Sequence, residues 1–163
     1  MSILSDRDIL AHLEDGRLAL EPFAESGLTP NGYDLRIAEV AVPSAHDAII
    51  SDGVAIVPPQ SRFVVSTLER VRMPAEACGS LWIRSSYARR GVLASFGKVE
   101  AGFEGTLTLG AFNACHKSLE VPVGDRFAQL VFEPLASPTL KSYAERSGNY
   151  QGQSGITLAR DRA

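Results

Sequence analysis

Between Gly32 and Leu135 the chain is a succession of short runs rich in β-branched and aromatic residues, each bounded by Gly, Pro, Asp or Asn. The runs read "YDLRIAEVAV", "GVAIVPP", "RFVVSTLERVRMP", "CGSLWIR", "GVLASF", "TLTLGAFNA", "LEVPVG" and "RFAQLVFEPL". Short strands at near-regular spacing, with turn residues between them, predict an all-β sandwich or barrel. One helix precedes them. Ser5-Asp-Arg-Asp8 reads as a capping box before Ile9, Leu10 and Leu13, and Gly16 supplies the stop. "RLALEPF" is a brief extended piece ended by Pro22, and "SYARR" a single helical turn after the run holding Trp82. The final stretch, about 144–163, is rich in Gly, Ser, Gln and Arg and predicts a flexible C-terminal arm that orders on something else. Without a repeat or a low-complexity boundary, the 163 residues read as a single domain, 1–163, and a 45% hydrophobic content supplies its core.

Composition narrows the function. A net charge of −3 gives no general electrostatic footprint for nucleic acid, so an anionic ligand must be met by local arginines. The longest apolar stretches, such as "VAIV" and "AQLVF", fall far short of the roughly 20 residues a membrane helix needs. The N-terminus carries acids early and has no basic leader region, so the expectation is a cytoplasmic protein. Cys78 and Cys115 lie outside any metal-ligand spacing and read as free thiols, and His12, His46 and His116 are scattered.

Four segments carry candidate chemistry. In "IRSSYARRG", Arg84, Ser85, Ser86 and Arg89 fall where a strand ends. Arginine forks match phosphate oxygens, and hydroxyls and free N–H groups at a helix start add neutral donors. A solvated turn with a surface ion pair is the alternative. In "VGDRFAQLVFEP", Gln129 is a polar residue among apolar neighbours and needs a partner if buried; a strand whose turn is held by an Asp–Arg pair is the plainer reading. In "NGYDLRI", Gly32 allows a special backbone angle, and Asp34 could face a magnesium ion or its waters, or simply belong to a turn-starting strand. In "GNYQGQSG", Tyr150, Gln151 and Gln153 sit in a flexible segment that could close over a flat ligand, or be a disordered tail.

Taken in order, "GYDLR", "RSS", "VEAGFEG", "GDRFAQLVF" and "GNYQGQSG" resemble the motifs of the trimeric dUTPase and dCTP deaminase superfamily across nearly the whole chain, closest to the short archaeal-type members. "LSDRDI", "LEPF…GYDLR" and "GNYQGQSGITL" look like the deaminase branch; "NGYDLR" and "GDRFAQLVF" look like the dUTPase branch. The resemblance implies a distorted jelly-roll-like β fold, a homotrimer with active sites between subunits, and a magnesium-bound (Mg2+) nucleoside triphosphate, dUTP or dCTP, as ligand. By motif match, Arg84, Ser85, Ser86 and Arg89 would hold phosphates. Gln129 would sit near phosphates and waters, and Asp34 would meet the magnesium waters. Phe103 would pack on deoxyribose, the backbone from Thr106 would read the pyrimidine edge, and Tyr150 and Gln153 would come from the arm.

The two branches need different acids. In dUTP hydrolysis a carboxylate orients the water that attacks the α-phosphate. Family members use an aspartate there, and the matching residue in this chain is Glu100. Its extra methylene moves the oxygens by roughly 1.5 Å, and a misplacement of about 1 Å can cost on the order of 100-fold in rate. In the deaminase reaction a glutamate ten residues further on activates the water that attacks C4 of cytosine, and here that position is Gly110. Thr106, Thr108 and Gly110 share one strand face and hold no general base. The expectation is therefore a dUTP diphosphatase with Glu100 as its catalytic carboxylate. The alternatives are a dCTP deaminase, or bifunctional enzyme, using a relocated acid such as Glu104, and a non-catalytic nucleotide-binding relative.

Overall fold

The computed structural model describes residues 2–43 and 46–158; the side chains of residues 46–48, and with them that of His46, are outside that description. Helix α1 (Asp6–Glu14) starts where the capping box places it: the Ser5 hydroxyl accepts from the Asp8 N–H and the Asp8 carboxylate accepts from the Ser5 N–H. The helix buries Ile9. The strands are β1 (Ala19–Glu21), β2 (Leu28–Thr29), β3 (Gly32–Val42), β4 (His46–Ile50), β5 (Val54–Val57), β6 (Ser61–Thr67), β7 (Arg70–Arg72) and β8 (Ala77–Ile83). After the short helix α2 (Ser85–Ala88) come β9 (Val92–Ala94), β10 (Lys98–Val99), β11 (Glu104–Gly105), β12 (Thr108–Asn113), β13 (Leu119–Pro122) and β14 (Arg126–Pro134), then α3 (Tyr143–Arg146).

The main sheet runs β10-β8-β14-β3-β6-β12-β9, with β2 and β4 also paired to β3, and every pairing is antiparallel. Smaller sheets β1-β7-β11 and β13-β5 complete a curled, jelly-roll-like all-β fold. Alternation puts Tyr33, Leu35, Phe63, Leu130 and Phe132 on the inner face, where they are buried, and a bulge between Arg126 and Ala128 turns Phe127 inward as well. Phe127 meets Phe63, Tyr87 and Phe96 edge-on, so one aromatic cluster ties β6, β14, α2 and the β9–β10 loop together.

Three local outcomes depart from the sequence reading. The run "RFVVSTLERVRMP" is two strands, because Glu69 turns fully inward: its carboxylate accepts from the Arg36 Nε at 2.6 Å and from the Arg36 backbone N–H at 2.8 Å. A carboxylate out of water must be paired in this way, and satisfying it breaks the strand. Strand β4 and helix α3 were not foreseen. For α3 the signal was present as Ser142-x-x-Glu145, a capping box in which the Ser142 N–H and hydroxyl both donate to Glu145. Finally, Gly32 has no left-handed backbone angle. Its constraint is space, since a Cβ there would lie 2.7 Å from the Leu130 carbonyl oxygen.

The arm lies along the chain's own edge. The Gly152 N–H donates to the Glu104 carbonyl, the Ile156 N–H to the Glu39 carboxylate and the Thr157 N–H to the Thr108 hydroxyl. Residues 159–163 of the expected arm lie outside the described residues. Removing the Glu69 carboxylate while leaving Arg36 in place should be costly: Glu69→Ala is expected to lower the unfolding free energy by roughly 3 kcal/mol, read as a lower urea midpoint at unchanged m-value.

Candidate active site

The first group of predicted residues meets at one end of the strands β8, β14 and β3. Register places Gln129 opposite both Asp34 and Trp82, so these three share the outer face. Asp34, only 4% exposed, is ion-paired with the Arg84 Nε at 2.9 Å and lies 3.6 Å from the Arg126 Nη1. Arg84 also reaches the Arg126 carbonyl, and Arg126 donates to the Ser26 carbonyl. Gln129 finds its partner in the Thr29 hydroxyl at 2.8 Å. Ser85, Ser86 and Arg89 are exposed on the adjoining α2, and among the described residues their side chains make no hydrogen bond or ion pair. Tyr87, on the other side of that turn, is buried and donates to Asp125 at 2.9 Å, and burial pushes its phenol well above the ordinary tyrosine range. The "RSSYARR" and "GDR" segments are thus bolted together by Tyr87–Asp125, whereas Arg126 turns to Asp34 instead of its neighbour Asp125.

The Asp34 carboxylate is largely withdrawn from solvent and holds Arg84 and Arg126 through its Oδ2. Among the described residues no group of three or more His, Cys, Asp or Glu side chains converges as a metal site. Burial pushes the Asp34 carboxyl above the ordinary aspartate range, and Arg84 and then Arg126 pull against that shift. Arg126 and Thr29 belong to this cluster although the sequence reading did not single them out. Only the register of β3 on β14 brings them in.

The second group surrounds the turn after β10. Gly102, at φ +80°, allows the turn in which the Phe103 N–H donates to the Glu100 carbonyl. Glu100 is exposed and, with Lys98, Phe103, Tyr150 and Gln153, lines a cavity of about 320 Å³. Phe103 is buried edge-on against Tyr143 of α3, with ring centroids 5.5 Å apart, so only its rim reaches that cavity. Thr106 is not open: its N–H donates to the Gln153 carbonyl at 3.0 Å and its own carbonyl accepts from the Gln153 amide at 2.6 Å. The arm thus occupies both main-chain groups of Thr106.

Gly110 faces open space, since a Cβ built there meets nothing within 4 Å. Two cavities of about 280 and 500 Å³ flank it; both are lined by Arg62, and among the described residues neither is lined by a carboxylate. Glu104, the candidate relocated acid, is paired with Arg70 at 3.1 Å. Glu39 is engaged by the Ser66 hydroxyl and the Ile156 N–H.

The curled antiparallel sheet that carries these groups has counterparts among known proteins. The family model described as dCTP deaminase-like matches residues 43–135, and the chain belongs to that family. It is 40% identical over 144 residues to a Pyrococcus horikoshii protein named dCTP deaminase, covering 88% of this chain and 90% of the relative. It is also 32% identical over 165 residues to a protein of Sulfolobus islandicus rod-shaped virus 1 named a probable deoxyuridine 5'-triphosphate nucleotidohydrolase, covering 98% and 99% respectively. Among solved structures, the dCTP deaminase of Agrobacterium tumefaciens superposes with a TM-score of 0.68 at 21% identity, over 80% of this chain and 47% of that one. The dUTPase of Staphylococcus bacteriophage 80alpha superposes with a TM-score of 0.55 at 22% identity, over 78% and 96%. These likenesses confirm the fold. No described helix is long and apolar enough to cross a membrane.

Asp34 offers a test of the arginine cluster. Asp34→Asn should raise KM for a nucleoside triphosphate about tenfold, the worth of one charge-assisted contact at about 1.4 kcal/mol, with little change in kcat. Folding makes the carboxyl easier to protonate, so its contribution to stability grows as pH falls through its raised range and is lost as pH rises through it. The effect on binding has the opposite sign. Protonation releases Arg84, so wild-type KM should climb on the acid side, and Asp34→Asn should flatten that limb.

Proposed function

We propose that the protein is a dUTP diphosphatase, which hydrolyses dUTP to dUMP and pyrophosphate. The observation that carries this reading is the space around Gly110, which holds an arginine and no carboxylate where C4 chemistry on cytosine needs an acid. Relatives named for either reaction match the chain, so their names favour neither; Glu104 and Glu39 are already engaged, as described above.

In this reading the triphosphate arrives as its magnesium complex, the metal being part of the substrate. Arg84, Ser85, Ser86 and Arg89 take phosphate oxygens, with Arg84 held in line by Asp34. Glu100 accepts a proton from the attacking water. The new bond joins the water oxygen to the α-phosphorus, the bond from that phosphorus to the bridging oxygen breaks, and pyrophosphate leaves. Strand register supports assembly from more than one copy. Val99 pairs with Gly79, and Arg84, just past the end of β8, follows Gly79 by five residues. Glu100 and Arg84 of one chain are therefore separated by roughly 16 Å along β8. A water at Glu100 must reach a phosphorus held by arginines, so the halves come from neighbouring subunits, in keeping with a homotrimer.

Separate incubation with dUTP and dCTP in the presence of magnesium, with products resolved by ion exchange, tests the assignment. The expected result is dUMP and pyrophosphate from dUTP, with dCTP unchanged. Conversion of dCTP to dUTP or dUMP would establish deamination in its place. Binding of both without turnover would make the chain a non-catalytic relative. Glu100→Gln should lower kcat by on the order of 100-fold or more while leaving affinity for a non-hydrolysable dUTP analogue nearly unchanged. Retention of most of the activity would remove Glu100 from the role of base.

A further inference from the structure

Arg62 has no place in the site as built so far. It opens β6, where register sets it opposite Phe112 and sets Val64 opposite Gly110. Those four residues therefore share a face, while Phe63 and Ala111, on the other face, are buried in the core. Arg62 is exposed, lines both cavities beside Gly110, and among the described residues has no carboxylate within ion-pair distance. The smaller cavity is also lined by Tyr150 and Gln153 of the arm. A guanidinium presents donors only and keeps its charge at all accessible pH.

We propose that Arg62 is the base-selecting residue: its guanidinium donates to the C4 carbonyl oxygen of uracil in the space left by Gly110, and meets the C4 amino group of cytosine donor against donor. The inference rests on the nucleotide site proposed above and adds to it the group that tells the two pyrimidines apart. A carbonyl accepts from the fork, whereas an amino group placed there leaves polar groups on both sides unpaired, and such mismatches discriminate more strongly than a change of volume does. The absence of a side chain at Gly110 serves this arrangement, because a larger residue would fill the space into which the base edge and the fork converge.

The test is calorimetric binding of α,β-imido-dUTP and α,β-imido-dCTP, with magnesium, to the full chain and to Arg62→Ala, Arg62→Gln and Arg62→Lys, each checked for an unchanged thermal melt. Wild type is expected to prefer the dUTP analogue. Arg62→Ala and Arg62→Gln should shrink that preference by on the order of tenfold or more, chiefly by weakening the dUTP analogue, and Arg62→Lys should keep part of it. An unchanged ratio in the Ala and Gln variants overturns the proposal. So does an equal loss for both analogues, which would make Arg62 a phosphate anchor, or a wild-type preference for the dCTP analogue. Failure of wild type to bind either analogue would instead sink the nucleotide-site reading itself.

Discussion

The Asp34 carboxylate is the point on which the arginine end of the molecule depends. A buried charge is tolerable only with partners, and Asp34 has two, Arg84 at 2.9 Å and Arg126 at 3.6 Å. These belong to the end of β8 and the start of β14, so one carboxylate on β3 fixes three strands that are far apart in sequence. The Tyr87–Asp125 hydrogen bond repeats the tie from the other side of the same turn. With Arg84 and Tyr87 both anchored, Ser85, Ser86 and Arg89 are left as the exposed members of the cluster, presented on a rigid support.

The carboxylate end is built differently. Glu100 sits in a turn set by Gly102, and its surroundings are supplied largely by the arm. Gln153 satisfies both main-chain groups of Thr106, and Glu39 takes the Ile156 N–H. A sheet edge that would otherwise expose unpaired backbone is covered by the chain's own C-terminal segment. The same segment, through Tyr150 and Gln153, also forms a wall of the cavity at Glu100.

Part of this arrangement was legible in short motifs. Arg84 and Gln129 lie beside Asp34 at strand ends and turns that are readable from pattern. The ion pairs of Asp34 were not legible. A carboxylate two residues after a glycine gives no local sign of its partners, and only long-range register brings the two guanidiniums to it. Glu69 escaped notice for a related reason: in an alternating run a glutamate reads as solvent-facing, and only its pairing with Arg36, 33 positions away, turns it inward. Arg62 looked like an ordinary polar residue at the start of a strand until β12 placed Gly110 beside it.

By itself the sequence determined the all-β class, the capped first helix, the motif order that defines the family, and the absence of an acid at position 110. These follow from residue type and local spacing, which act through backbone preference and hydrophobic period over a few residues. The tertiary structure alone decided which charges meet. It gave Asp34 to Arg84, Glu69 to Arg36 and Glu104 to Arg70, and left Arg62 facing the space beside Gly110. Ion pairs and cavities form between strands whose neighbours are set by long-range register, and no local pattern encodes that register.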